Sequence, residues 1–465
     1  MVRPSLGVLP TFLLSASLAW GQGVSPFPPD PQANDVPAVK ADAPTPPPVT
    51  PTPPVTPPPP VTPPPSAMPP EGSLSRWATP LENPLGNCGP TLYGRPLEKT
   101  SAITLEAEYL LWFAATSTGS TPIASTGNNG QILFQSGRGI RSSEGPTSGG
   151  RFTLGYWDID ENPWTSTGVR TLGIETVFMF LSTRSEEGVN QTTPIITRPF
   201  FDLNNRTPSG FLVAFPGLAT GGVTAHTEGN LWGAEANVWK NIAYDYPGTR
   251  WSVNVMGGLR FLDLNESLRI ASVSVYEQNL AGFPAAFAPF AGNTIRTFDE
   301  FAATNRFYGG QIGIQSRYFP ADCLFIDLTA KLALGATAET IDINGAQLRR
   351  FANGAETVSP AGVLALASNS GSHHRVKFAQ VPELDVKFGA PITKSFTFSF
   401  GFSTMYWSRI LRPGTQIDRN IDVTQIPNFP LAPGTVPTSL GQPSVPFRQS
   451  DLWLLGATVG AEFRW

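Results

Sequence analysis

The stretch "GATVGAEFRW", residues 456–465, alternates without a break. Val459, Ala461, Phe463 and Trp465 share one side, and Thr458, Gly460, Glu462 and Arg464 share the other. That is the period of a β-strand, whose side chains point to opposite faces in turn. The sequence stops on Trp465, inside the pattern, with no polar tail. A bare apolar edge strand is a template for aggregation, so such a strand needs a partner. A closed barrel supplies one, because its last strand pairs with its first and leaves no edge. The expectation is that Val459, Ala461, Phe463 and Trp465 face lipid, while Glu462 and Arg464 face a lumen.

Nine further stretches carry the same period. "ITLEAEYLLWF" (103–113) sets Leu105, Ala107, Tyr109 and Leu111 against Glu106 and Glu108. "RWSVNVMGGLRF" (250–261) sets Trp251, Val253, Val255, Leu259 and Phe261 against Arg250, Asn254 and Arg260. "SFTFSFGFSTMYW" (395–407) sets four phenylalanines against Ser395, Thr397, Ser399 and Gly401. The others are 151–157, 171–180, 231–240, 307–318, 324–334 and 381–389, the last interrupted by Pro382.

A soluble sandwich alternates too, so two other features decide. Many stretches begin or end on aromatics (Trp112, Trp157, Trp232, Trp239, Trp251, Tyr318, Trp407, Trp453, Trp465), where the girdles of a membrane barrel sit. The connectors then alternate strictly, long at 114–150, 182–230, 262–306, 335–380 and 408–451, short at 158–170, 241–249, 319–323 and 390–394. Short periplasmic turns and long outer loops give that order, and a sandwich does not. The reading is an all-β, antiparallel up-and-down transmembrane β-barrel of about ten strands. One place strains the count. "LDLNESLRIASVSVY" (262–276) alternates again with its apolar phase shifted after Phe261. We read it as strand five rising above the bilayer through a bulge; a separate hairpin would raise the count to twelve.

The N-terminal part differs in kind. Arg3, an apolar run and Ala19-Trp20-Gly21 read as a secretory signal peptide over 1–21. Residues 22–100 form a disordered Pro-rich periplasmic segment on this reading, with "PTPPPVTPTPPVTPPPPVTPPPSAMPP" (44–70) favouring polyproline II. At ~3.1 Å per residue that tract reaches roughly 80 Å, as a spacer or as the ligand of a periplasmic or cell-wall partner. The barrel takes 101–465. Only 14 % of the chain is charged and the net charge is −4, which gives no reason to expect nucleic acid.

The stretches "LEAEYLLWF", "GGRFTLGYW", "TLGIETVFMF", "GGLRFLDLNESL", "NRFYGGQIGI" and "IDLTAKLALG" occur in this order. Over about residues 100–465 the chain resembles the beta-barrel porin-7 proteins of planctomycete outer membranes. The resemblance implies an outer-membrane barrel and supplies no catalytic residues or cofactor. Phe463 and Trp465 also resemble the C-terminal signal read by the bacterial barrel-assembly machinery. The expected location is the bacterial outer membrane, among its lipids, with both termini periplasmic.

Inward positions include Glu106, Glu108, Glu175, Glu235, Asp327, Glu383, Asp385 and Glu462, against Arg151, Arg250, Arg260, Arg317, Lys331, Lys387 and Arg464. Barrels of about eight strands are filled and those of sixteen or more leave a channel. With charges of both signs nearly balanced, the expectation is a narrow or closed lumen, either a narrow porin for small solutes or a structural surface barrel. The alternative is a secreted soluble β-rich adhesin or binding module.

Catalysis is not expected. His226, His373 and His374 fall near the outer rim, with Asp202 and Glu228 as candidate acids for His226, and no G-x-S-x-G occurs. "DIDEN" (158–162) opens like a calcium loop, but Pro163 and Val169 stand where that loop needs Gly and Glu, so it reads as an acidic turn. Cys88 and Cys323 both fall on the periplasmic side, as two free thiols or a disulfide beneath the barrel.

Overall fold

The computed structural model describes residues 99–465 except 116–120, 129, 137–144, 161–168, 191, 245–249, 322–323 and 394. The signal peptide, the proline tract, Cys88 and Cys323 lie outside the described residues.

Ten long strands form the wall. They are β1 (Lys99–Ala115), β2 (Thr147–Asp160), β3 (Val169–Asn190), β4 (Ala219–Tyr244) and β5 (Trp251–Tyr276). They continue as β6 (Thr294–Ala321), β7 (Leu324–Arg350), β8 (Gly371–Pro391), β9 (Phe396–Leu411) and β10 (Gln449–Arg464). Each pairs antiparallel with the next. The ring closes where β10 pairs with β1, from Thr104↔Arg464 to Ala115↔Trp453. Trp465 completes that seam, accepting from the Ile103 amide at 2.9 Å. The connectors keep their alternation, so the ring has a short-turn end and a long-loop end.

The outer face of the wall carries an apolar band. Leu259 is 68 % exposed and Ile312 65 %, values that large aliphatic side chains reach only when nothing in the chain covers them. From Trp251 to Phe261, Tyr308 to Tyr318 and Leu324 to Leu334 the band is eleven residues tall, within the ~9–11 that cross a bilayer as a tilted strand. Aromatic pairs mark its edges. At the long-loop side Trp232 meets Phe261 at 4.9 Å, Phe261 meets Tyr308 at 5.1 Å and Tyr406 meets Trp453 at 4.5 Å. At the short-turn side Trp251 meets Tyr318 at 4.7 Å and Phe396 meets Phe463 at 5.0 Å. Four aromatics expected in these girdles are not there. Trp112, Trp157, Trp239 and Trp407 point inward and are buried.

Strand five corrects the sequence reading at Phe261. It is a single strand to Tyr276, but it carries no bulge there, and its register with β6 runs unbroken from Trp251 to Val275. The even residues face inward throughout. What changes is the chemistry. Below Phe261 the inward residues include the polar Ser252, Asn254 and Arg260; above it Leu262, Leu264, Leu268 and Ile270 turn inward around Glu266, while Asn265, Ser267 and Arg269 face out. The strand leaves lipid for water, so its outer face turns polar and its inner face largely apolar next to Phe261. The same reversal puts Ile341 and Ile343 of β7 inside.

Pro382 does not end β8. Pairing of β8 with β7 runs through it, whereas pairing with β9 begins at Glu383↔Met405. On that side Ser408 Oγ fills the gap, accepting from the Gln380 amide at 2.9 Å and donating to the Gln380 carbonyl at 3.3 Å.

Above the band, segments of three long loops build a second sheet inside the ring. Its strands are Pro122–Ser125, Ile132–Gln135, Ile196–Asp202, Thr207–Ala214 and Asn420–Ile421, the last parallel to Phe201–Asp202. Ile123, Phe200, Phe211 and Val213 of this sheet share one apolar core with Ile270, Phe301, Ile341 and Ile343 of the wall.

Candidate functional site

The interior has three tiers. Nearest the short turns lies a polar tier built from alternate residues of the wall. Arg151 of β2 pairs with Glu108 of β1 and reaches Glu383 and Asp385 of β8, each at 3.3 Å. Arg260 of β5 pairs with Glu383 and lies 3.6 Å from Glu235 of β4, which Lys331 of β7 meets at 3.1 Å. Lys387 meets Glu106 at 2.6 Å and Glu108 at 3.1 Å. Asn237 donates to Glu175 at 3.1 Å, and Arg317 pairs with Asp327 at 2.6 Å while lying over the Phe325 ring. Charges of opposite sign thus tie strands on different sides of the ring. A cavity of about 90 Å³ remains among Glu106, Arg170, Glu175, Arg317, Asp327 and Lys387, room for a small cluster of waters.

Arg250 is exposed at the short-turn rim and donates to the Pro320 carbonyl at 2.6 Å; Arg464 is the last residue of β10. Arg170, which simple alternation places on the outer face, belongs inside. A register irregularity between Asp158 and Ile159 accompanies its turn inward, where it meets Glu462 at 2.5 Å and covers the Trp157 ring.

At mid-height an apolar belt crosses the lumen. Leu110, Trp112, Leu181, Leu231, Leu264, Phe307, Ala333, Val381, Met405, Trp407 and Leu452 are at most 3 % exposed and form one cluster. All of them come from the wall, so no loop is needed to fill this section. Inward glycines make the room. A Cβ on Gly456 would sit 2.5 Å from the Trp112 ring, and in the polar tier below one on Gly389 would sit only 2.0 Å from Phe325. Large side chains of one strand lie across glycines of the next.

The third tier is the loop core, pinned by two buried ion pairs. Arg198 of the loop sheet meets Asp299 of β6 at 2.7 Å, and Arg412 after β9 meets Glu266 of β5 at 3.0 Å. Asp299 also accepts the backbone amides of Val363, Leu364 and Ala365 at 2.7–2.9 Å, fastening a second loop to the same carboxylate.

The histidines are scattered. His226 Nε2 lies 3.2 Å from Glu228 and 3.4 Å from Ser185 Oγ. A proton relay needs acid and hydroxyl on opposite ring nitrogens, and here both meet the same one. Asp202 uses its oxygens on Asn204 and Asn205, and His373 contacts the Asn369 carbonyl. Asp158 to Asp160 are the last residues of β2, and the rest of that acidic stretch lies outside the described residues.

The family model described as "Putative beta barrel porin-7" matches residues 104–465, the whole wall but for the first residues of β1. The chain belongs to that family. It is an outer-membrane β-barrel protein. Among solved structures it is similar to OmpT of Vibrio cholerae, at 8 % identity over 80 % of this chain and 99 % of that one, with a TM-score of 0.14. The toluene transporter TodX of P. putida is 7 % identical over 78 % and 89 %, TM-score 0.18, and Pseudomonas putida OprB 8 % identical over 79 % and 94 %, TM-score 0.12. Scores this low leave the assignment resting on the family match and on the geometry of the wall. No curated protein matches the chain.

Proposed function

We propose that this porin-family barrel conducts no solute in this form and serves as a membrane anchor for a rigid surface built by its long loops. The observation that carries the reading is the apolar belt, a full cross-section of wall side chains with almost no exposed surface. An aqueous pore would need polar, hydrated side chains at that height. The polar tier below is self-paired, and the loop core above closes the ring a second time. In this reading the short turns and both termini face the periplasm, Phe463 and Trp465 serve recognition by the assembly machinery, and the protein is not an enzyme. Liposome swelling tests it. Vesicles carrying the folded barrel should swell in small sugars no faster than empty ones, and size-dependent swelling would restore the porin reading.

A further inference from the structure

Among the described residues four non-glycine positions adopt a left-handed backbone, and Arg409, at φ 56°, is the one of them in a wall strand. It sits in a bulge where the β9–β10 register slips between Trp407 and Ile410. Glycine or asparagine takes this conformation at less cost than arginine. The bulge turns Arg409 to the outer face, exposed, one step beyond the Tyr406–Trp453 pair that edges the apolar band. Its backbone amide donates to Asp451 at 3.1 Å. The guanidinium does not turn to Asp451. It reaches β8 and donates to the Phe378 carbonyl at 3.3 Å. Two exposed charges of opposite sign thus stand side by side at the membrane edge, above Phe378 and Trp453, which are 58 % and 53 % exposed.

We propose that this ledge is a site for a phospholipid whose headgroup carries both a phosphate and a primary ammonium. Arg409 takes the phosphate through its remaining N–H donors. Asp451 takes the ammonium, beside the Trp453 ring that favours a cation over its face. The acyl chains lie along the apolar wall below. The inference rests on this wall facing lipid, not on the lumen being closed, so it stands or falls apart from conductance.

Native mass spectrometry of the folded barrel in micelles holding equal phosphatidylethanolamine and phosphatidylglycerol tests it. The wild type should retain phosphatidylethanolamine about tenfold better, roughly one charge-assisted hydrogen bond. Arg409→Gly, which relieves the backbone and so keeps the fold, should lose that retained lipid. Asp451→Asn should bring phosphatidylglycerol to parity. Equal retention of both lipids by the wild type, or a retained lipid unchanged in Arg409→Gly, overturns the proposal.

Discussion

Arg198 and Asp299 meet at 2.7 Å with neither side chain exposed, joining a loop strand to the barrel wall. A charge pair removed this far from water costs little while intact and much when halved. Asp299→Ala strands the Arg198 guanidinium and frees three loop amides, a loss of about 3–5 kcal/mol. The expected phenotype is local. Protease should cut within 192–218 and 351–370 at temperatures where the barrel still runs as a compact band. The double change Arg198→Met with Asp299→Leu should recover most of the protection within 192–218 but not within 351–370, whose three amides still lack their acceptor; equal cutting within 192–218 in single and double variants would contradict the pinning role.

The belt has its own keystone. Trp407 is fully buried, packs edge-on against Phe307 at 6.1 Å and donates its indole N–H to Thr337 Oγ1 at 3.0 Å. Trp407→Ala should cost about 3–5 kcal/mol through the cavity it leaves. Thr337→Val, which keeps volume but orphans the indole N–H, should cost about 1–3 kcal/mol. The temperature at which folded gel mobility is lost reads both, and a Thr337→Val barrel as stable as the wild type would disprove the hydrogen bond's role.

Glycines on the two faces of the wall should respond oppositely. A Cβ at Gly389 collides with Phe325, whereas one at Gly257, on the lipid face, meets nothing within 4 Å. Gly389→Ala is expected to destabilise by about 1–3 kcal/mol. Gly257→Ala is expected to be neutral or mildly stabilising, since it removes unfolded-state freedom without a clash. Similar melting of the two variants would count against the interlocked interior.

Asp422 links acidity to the tip of the last long loop. Burial pushes its pKa up, but the hydroxyls of Thr424 and Thr438 and the amides of Leu440 and Thr424 outweigh burial and hold it below the ordinary value of 3.8. A carboxyl whose folded pKa is depressed stabilises above its unfolded value, near ~3.9, and loses that contribution as pH falls through the folded value. Amide exchange at Leu440 should therefore be flat from neutral pH down to about 4 after correction for intrinsic rates, and protection should fall only below it. In Asp422→Asn the protection should already be missing at neutral pH. Wild-type protection that drops well above pH 4 would rule out this carboxylate as the cause.

The wall was legible because a membrane strand announces itself twice, by period two and by its aromatic edges. The long and short connectors then fixed which ends belong together. Legibility stopped where the solvent changed. At Phe261 the strand keeps its phase and exchanges oil for water outside, so the apolar residues switch parity, and in one dimension that looks like a slipped register. Trp112 and Trp407 misled in the same way, since an aromatic near a band edge reads as a girdle whether it points out or in. Only the facing glycines, Gly456 against Trp112 for one, distinguish the two cases, and that pairing lies 344 positions apart by subtraction of the two numbers. The pins Arg198 and Arg412 had a local signal, a cation before proline in "ITRPFF" and "ILRPG", but their partners Asp299 and Glu266 lie on other strands.

Single-channel recording in a planar bilayer tests the closed interior most directly, on protein whose fold is verified by a heat-dependent gel shift. The belt predicts a flat current from inserted wild-type barrels across the voltage range. Discrete, reproducible steps from the same preparation would mean that water crosses at the height of Trp112 and Trp407, and the closed barrel would have to be abandoned.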